Sequence, residues 1–196
     1  MRKPTLLAIL LLLIGINLIA PQQTDAKTVE VARKTSDRLS SSPTAKRKQL
    51  VLLLEEGRRL TLAGNLRGAI ARYQKAARLS PKNARIYSSI GYIEAEQKNY
   101  SAAVAAYRKA IALAPNHSDF YYALGYCLGQ MGDNYGAATA YRQTTQLDRN
   151  NLNAYLGLGA VLYRQGDYNG AAQAYQQVLN REPNNGSANG LIGILL

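Results

Sequence analysis

Between Asn99 and Pro115 the chain repeats apolar positions with the period of a helix. Tyr100, Ala103, Val104, Tyr107, Ala110, Ile111 and Ala114 recur at three- and four-residue steps, so they share one face. Arg108 and Lys109 fall off it. Asn99 is placed to cap the start, because its side-chain oxygen can accept from a free backbone N–H of the first turn. Pro115 lies where a helix cannot continue. The stripe mixes alanines with two large rings: small side chains let another helix come close, and the rings fill the space beside them. One such helix cannot bury its stripe alone, so the pattern predicts copies.

The copies are present. Tyr73, Tyr107, Tyr141 and Tyr175 are spaced by 34 residues, as are Ala69, Ala103, Ala137 and Ala171. Gly57, Gly91, Gly125, Gly159 and Gly193 form a third ladder, and Pro81, Pro115 and Pro183 a fourth, with Arg149 in the vacant place. This order at this period resembles the tetratricopeptide repeat family. The resemblance runs from residue 50 to the last residue, with repeats at 50–83, 84–117, 118–151 and 152–185 and a partial fifth at 186–196. It implies an all-α fold: a right-handed superhelical α-solenoid of antiparallel helix pairs, about four repeats plus one C-terminal helix.

Within this frame Ser42 or Thr44 caps a first helix running to about Ala63, and Asn65 opens a second, to Leu79. The next pair spans about 84–97 and Asn99–Ala114, with Lys98-Asn99 as the turn. The later turns, Gly132-Asp133 and Gly166-Asp167, each join a glycine to a capping aspartate. Three substitutions predict that the third repeat packs least well. Asn134 stands where Leu66, Tyr100 and Tyr168 stand, Thr144 adds a hydroxyl where Ala76 and Ala110 stand, and Arg149 replaces proline. The Gly190–Leu196 end reads as a first helix that packs on repeat four and leaves some Leu and Ile exposed; the alternatives are that it contacts a partner or that the sequence is cut short.

Upstream, Arg2-Lys3, the apolar run Leu6–Ala20 and Thr24-Asp25-Ala26 form the three-part pattern of a secretory signal peptide. The expectation is cleavage after Ala26, leaving the repeats periplasmic or secreted. The alternative is an uncleaved membrane anchor at 6–20, through which membrane contact would arise. No cysteine follows the apolar run, which excludes a lipid-modified N-terminus. Residues 27–43 read as a basic flexible linker, and 44–196 as the repeat domain.

The net charge of +12 is unevenly placed. Residues 27–85 carry 15 Lys and Arg against 4 Asp and Glu, whereas 86–196 carry 7 against 7. Lys46-Arg47-Lys48 opens the first helix, where positive charge opposes the macrodipole. The single cysteine, Cys127, excludes an intrachain disulfide and reads as an inert, semi-buried side chain. The single histidine, His117, falls in a loop, where no metal set or catalytic partner converges on it. Glu94 and Glu96, two apart on a helix, point apart. The sequence therefore predicts no enzyme, no cofactor and no metal site.

The tyrosines divide by register. Tyr73, Tyr107, Tyr141 and Tyr175 are structural. Tyr87, Tyr121 and Tyr155 take an early buried position, and Tyr100, Tyr135 and Tyr168 open second helices. Tyr92, Tyr122, Tyr126 and Tyr163 remain, on first helices at positions the family turns toward its concave groove. Tyr92 and Tyr126, one repeat apart, are expected to stack as one strip; Tyr122 reads equally as groove or as filler. Arg58, Arg85, Gln130, Asn153 and Arg164 are expected to border the same surface. The family's carboxylate-clamp positions hold Leu54, Arg58, Ser89, Asp119 and Ala123, so chaperone-type clamping is not expected.

The resemblance thus implies a non-catalytic interaction scaffold that binds a polypeptide in a tyrosine-rich groove. The alternative is an electrostatic binder of anionic lipid or polymer through the basic 27–85 region. Export and the absence of a base-reading motif argue against nucleic acid.

Overall fold

The structure, a computed structural model, describes Glu30 and residues 42–195. The predicted signal peptide and most of the linker lie outside the described residues. The helices are α1 (Pro43–Leu62), α2 (Leu66–Leu79), α3 (Ala84–Glu96), α4 (Tyr100–Leu113), α5 (Ser118–Gln130), α6 (Asn134–Leu147), α7 (Leu152–Arg164), α8 (Tyr168–Leu179) and α9 (Gly186–Gly193). They pair in chain order, α1 against α2 through Gly57 and Tyr73, and each second helix also packs on the first helix of the next repeat. This is the α-solenoid the repeat ladders predict.

The ladders mark where the helices touch. Ala69, Ala103, Ala137 and Ala171 are fully buried, and Tyr73, Tyr107, Tyr141 and Tyr175 are buried beside them. Each ring lies over the ladder glycine of its own repeat: a Cβ built on Gly57, Gly91 or Gly125 would stand 3.0 Å from the ring of Tyr73, Tyr107 or Tyr141. The glycines are there because a side chain would displace the rings.

The turns follow the chemistry read from the sequence, with one exception. Gly64, Gly132 and Gly166 take positive φ, and in repeat two Lys98 takes the same conformation at φ 61°. Asn65, Asp133 and Asp167 accept from the backbone N–H of Gly68, Gly136 and Gly170. Asn99 makes no such cap; its side-chain amide donates instead to Glu94 Oε2 at 3.1 Å. Ala102 at the third helical position does not by itself explain this, since Asn151 and Asn185 cap their helices by accepting from the N–H of Ala154 and Ala188. At α1 the Ala45 N–H donates to Ser42 Oγ, so Ser42 rather than Thr44 is the cap.

The third repeat is not the poorly packed one. Its helices α5 and α6 hold ten buried residues, more than any other pair. The Thr144 hydroxyl is fully buried but donates to Ala140 O at 3.0 Å, so no polar group is left unmatched. In place of the missing proline, Asp148 Oδ1 accepts from the Asn150 N–H and forms an Asx turn. The C-terminal helix behaves as expected: Ala188 is buried, Leu191 and Ile192 pack on the same core, and Ile194 is exposed.

Cys127 is fully rather than half buried. Burial pushes its thiol up to about 11. An unfolded thiol ionises near 8.5. The unfolded state therefore loses its proton first, and the contribution to stability falls as pH rises through that interval. At neutral pH a thiol reagent should label Cys127 only through transient opening, so the labelling rate should track added denaturant. Immediate labelling of the native chain would contradict this packing.

Candidate functional site

The face built by the first helices α1, α3 and α5 carries two adjoining depressions. One, of about 210 Å3, is bounded by Thr61, Tyr73 and Ile93. The other, of about 460 Å3, is bounded by Arg85, Tyr107, Asp119, Phe120 and Ala123 and by His117 at the start of α5. Ser88, Ser89 and Tyr92 line both. Tyr92, 52% exposed, is thus the aromatic divider between two shallow hollows whose walls are more apolar than polar. The hydroxyls of Ser88 and Ser89 both donate to Arg85 O, which keeps their oxygens as acceptors. Arg85 and Asp119 add one charge of each sign. This set of acceptors, donors and one ring can hydrogen-bond an extended backbone and cover one of its side chains.

The serine pair was not singled out from the sequence, although the register contains the signal. Ser88-Ser89 stands one period before Tyr122-Ala123. A small side chain at 88 leaves open the space that a ring occupies one repeat later. Tyr122 itself is half-buried, its ring centroid 5.9 Å from that of Tyr141, and so acts as filler between helices.

The predicted Tyr92–Tyr126 stack does not form. Tyr126, 44% exposed, makes an edge contact with Tyr100 at 6.3 Å between centroids. Its hydroxyl is held above the usual phenol range by desolvation and then by the Tyr100 hydroxyl. Neighbouring helix axes lie roughly 8–10 Å apart, so equivalent rings on successive first helices start beyond stacking range. A ring at the start of the intervening second helix fills the gap. Tyr163 repeats the arrangement with Tyr168 at 5.4 Å. The exposed aromatics are therefore Tyr92 in the hollows and, outside them, Tyr126, Tyr163, Tyr168 and the 77% exposed Tyr135.

The remaining predicted residues divide. Arg85 lines the larger hollow. Arg58, Gln130 and Asn153 are exposed, and none of them borders either hollow. Arg164 turns back onto repeat three, donating to Asn134 Oδ1 at 3.3 Å and, at 3.5 Å, toward Gly129 O. Tyr87, Tyr121 and Tyr155 are half-buried rather than buried. The fully covered position is one residue earlier, at Ile86, Phe120 and Ala154. The rings beside them lie at the surface instead, Tyr87 beneath Lys109 and Tyr155 beneath Arg181.

No cluster of metal-ligating side chains occurs among the described residues. No described helix is long and apolar enough to cross a membrane.

Comparison with known proteins agrees with this architecture. A family model described as the cytochrome c-type biogenesis protein H TPR domain matches residues 80–188, and a TPR repeat model matches residues 57–98. The curated proteins contain no match. Among solved structures the chain is similar to MamA, with TM-score 0.73 and 22% identity over 76% of this chain and 81% of that one. It is similar to YrrB, a TPR protein with an unusual peptide-binding site, with TM-score 0.67 and 22% identity over 73% and 74%. It is also similar to the first TPR of Spaghetti (RPAP3) bound to an HSP90 peptide, with TM-score 0.59 and 20% identity over 61% and 94%. At these identities the structures speak for the fold alone. Such repeat families are generally non-catalytic scaffolds, although one similar structure is that of an O-GlcNAc transferase. With more than half of its length matched by a single TPR-domain model, the chain belongs to the tetratricopeptide repeat family.

Proposed function

We propose that this chain is a non-catalytic scaffold that binds a polypeptide partner in the groove of its first helices. We further propose that it acts in a bacterial envelope, exported or tethered by its N-terminal segment. The observation that carries the binding reading is Tyr92, a half-exposed ring set between two hollows that Ser88 and Ser89 also line. An aromatic ring offers a large contact area with a polar tip at low entropic cost. That YrrB is a peptide binder and the RPAP3 domain holds a peptide supports a protein ligand for this fold.

A second reading rests on the basic first repeat. Arg58, Arg59, Arg67, Lys75, Arg78 and Arg85 are all exposed, as the electrostatic alternative requires. Ionic strength separates the two. A pull-down from envelope extract, repeated across salt concentrations, should retain a groove-bound protein at high salt. Loss of all binding above roughly one molar salt, where screening acts within about 3 Å, would favour the basic region instead. Mass spectrometry of the mature protein should give Lys27 as its N-terminus; a full-length cytoplasmic product would contradict export.

A further inference from the structure

One register position is covered in every later repeat and open in the first. Ile86, Phe120, Ala154 and Ala188 are 1%, 7%, 0% and 0% exposed. Each lies at the start of a first helix, where the second helix of the preceding repeat packs. The equivalent residue of α1 is Leu52, which is 50% exposed. It lines a depression of about 540 Å3 between α1 and α2.

Part of this face is built as a polar end. Glu56 stands where Ile90, Leu124 and Leu158 stand, and Arg72 where Ala106, Ala140 and Ala174 stand. The two form an ion pair at 2.9 Å. Solenoid ends need such a polar surface for solubility. The apolar part of the face does not fit that role. Leu52, Leu53 and Leu79 make an apolar wall, and Lys75 and Arg78 stand beside it. Among the described residues no carboxylate pairs with Lys75 or Arg78, and Glu56 is taken by Arg72.

We propose that this face docks an amphipathic helix of a protein partner, with a leucine-type stripe against Leu52, Leu53 and Leu79 and an acidic flank over Lys75 and Arg78. A helix is favoured over a lipid surface because a helix occupies the equivalent place in every later repeat. Apolar complementarity supplies the contact, and opposite charge fixes its orientation and register. The site is separate from the groove, and the proposal does not rest on the groove reading.

The probe is a fluorescent synthetic helix of about 18 residues, long enough to form helix on contact, with leucines at three- and four-residue spacing flanked by glutamates. Its controls are a scrambled peptide of the same composition and vesicles of one part phosphatidylglycerol to three parts phosphatidylcholine. With the full chain, anisotropy should rise with the probe and far less with the scramble. The exposed changes Leu52→Glu and Lys75→Glu with Arg78→Glu should each weaken binding about tenfold or more. Their melting curves should match the parent, and Tyr92→Ala with Tyr126→Ala should bind the probe unchanged. Equal binding of the scramble, indifference to the variants, or binding of vesicles that Leu52→Glu abolishes would overturn the proposal. So would self-association that Leu52→Glu abolishes, which would make a second copy the occupant.

Discussion

Tyr107→Ala should lower the unfolding free energy by about 3–5 kcal/mol, the range for truncating a large buried aromatic. The ring is 5% exposed and lies against Gly91, where a Cβ would approach it to 3.0 Å. It belongs to the core that continues through Tyr141 and Tyr175. Desolvation, the largest cause, holds its hydroxyl well above the usual phenol range. The glycine offers no side chain that could swing into the space, so the cavity would stay open. Denaturant melts followed by circular dichroism measure the loss. A midpoint unchanged from the parent would mean that the tyrosine ladder does not mark the core.

Gly159→Ala should also destabilise, against the helix propensity of the two residues. Alanine is favoured over glycine in a helix by about 1 kcal/mol. At 159 the new methyl would stand 2.7 Å from Tyr175 Cζ, closer still to a neighbouring ring carbon, and Tyr175 is only 1% exposed. The ring has nowhere to go, and overpacking of this kind costs about 1–3 kcal/mol. Gly190→Ala is the opposite case: nothing lies within 4 Å of its Cβ, so the propensity gain should stand alone. The two melts should shift in opposite directions. A stabilised Gly159→Ala would show that the ladder glycines are not close-approach points.

The solenoid was legible because a repeat writes each packing rule several times. The glycine turns at 64, 132 and 166 and the caps at Asn65, Asp133 and Asp167 follow from local chemistry that the sequence displays. What escaped depended on two residues meeting. Asn99 has the right chemistry for a cap, but its side chain goes to Glu94. Thr144 reads as a defect until its hydroxyl is seen to donate within its own helix. The groove was legible by position only. Period alone puts Tyr92 and Tyr126 in line, but it does not say that Tyr100 would take the partner place beside Tyr126. Nor does it weigh Ser88 against Tyr122, which decides where the surface is hollow. Arg164 shows the same limit, since a long side chain on the right face can still turn back to a neighbouring repeat.

The groove reading is tested most directly by the double change Tyr92→Ala, Tyr126→Ala. The two rings are 52% and 44% exposed. Truncating them should leave the melt within about 0.5 kcal/mol of the parent, as surface changes usually do. Titration with the protein returned by the pull-down should nevertheless weaken by about tenfold or more, because a few aromatic anchors tend to carry most of the binding energy. The single change Tyr92→Ala should account for most of that loss, since of the two rings Tyr92 borders the hollows and Tyr126 does not. A normal melt with unchanged affinity would contradict the account and move the binding site to the basic first repeat.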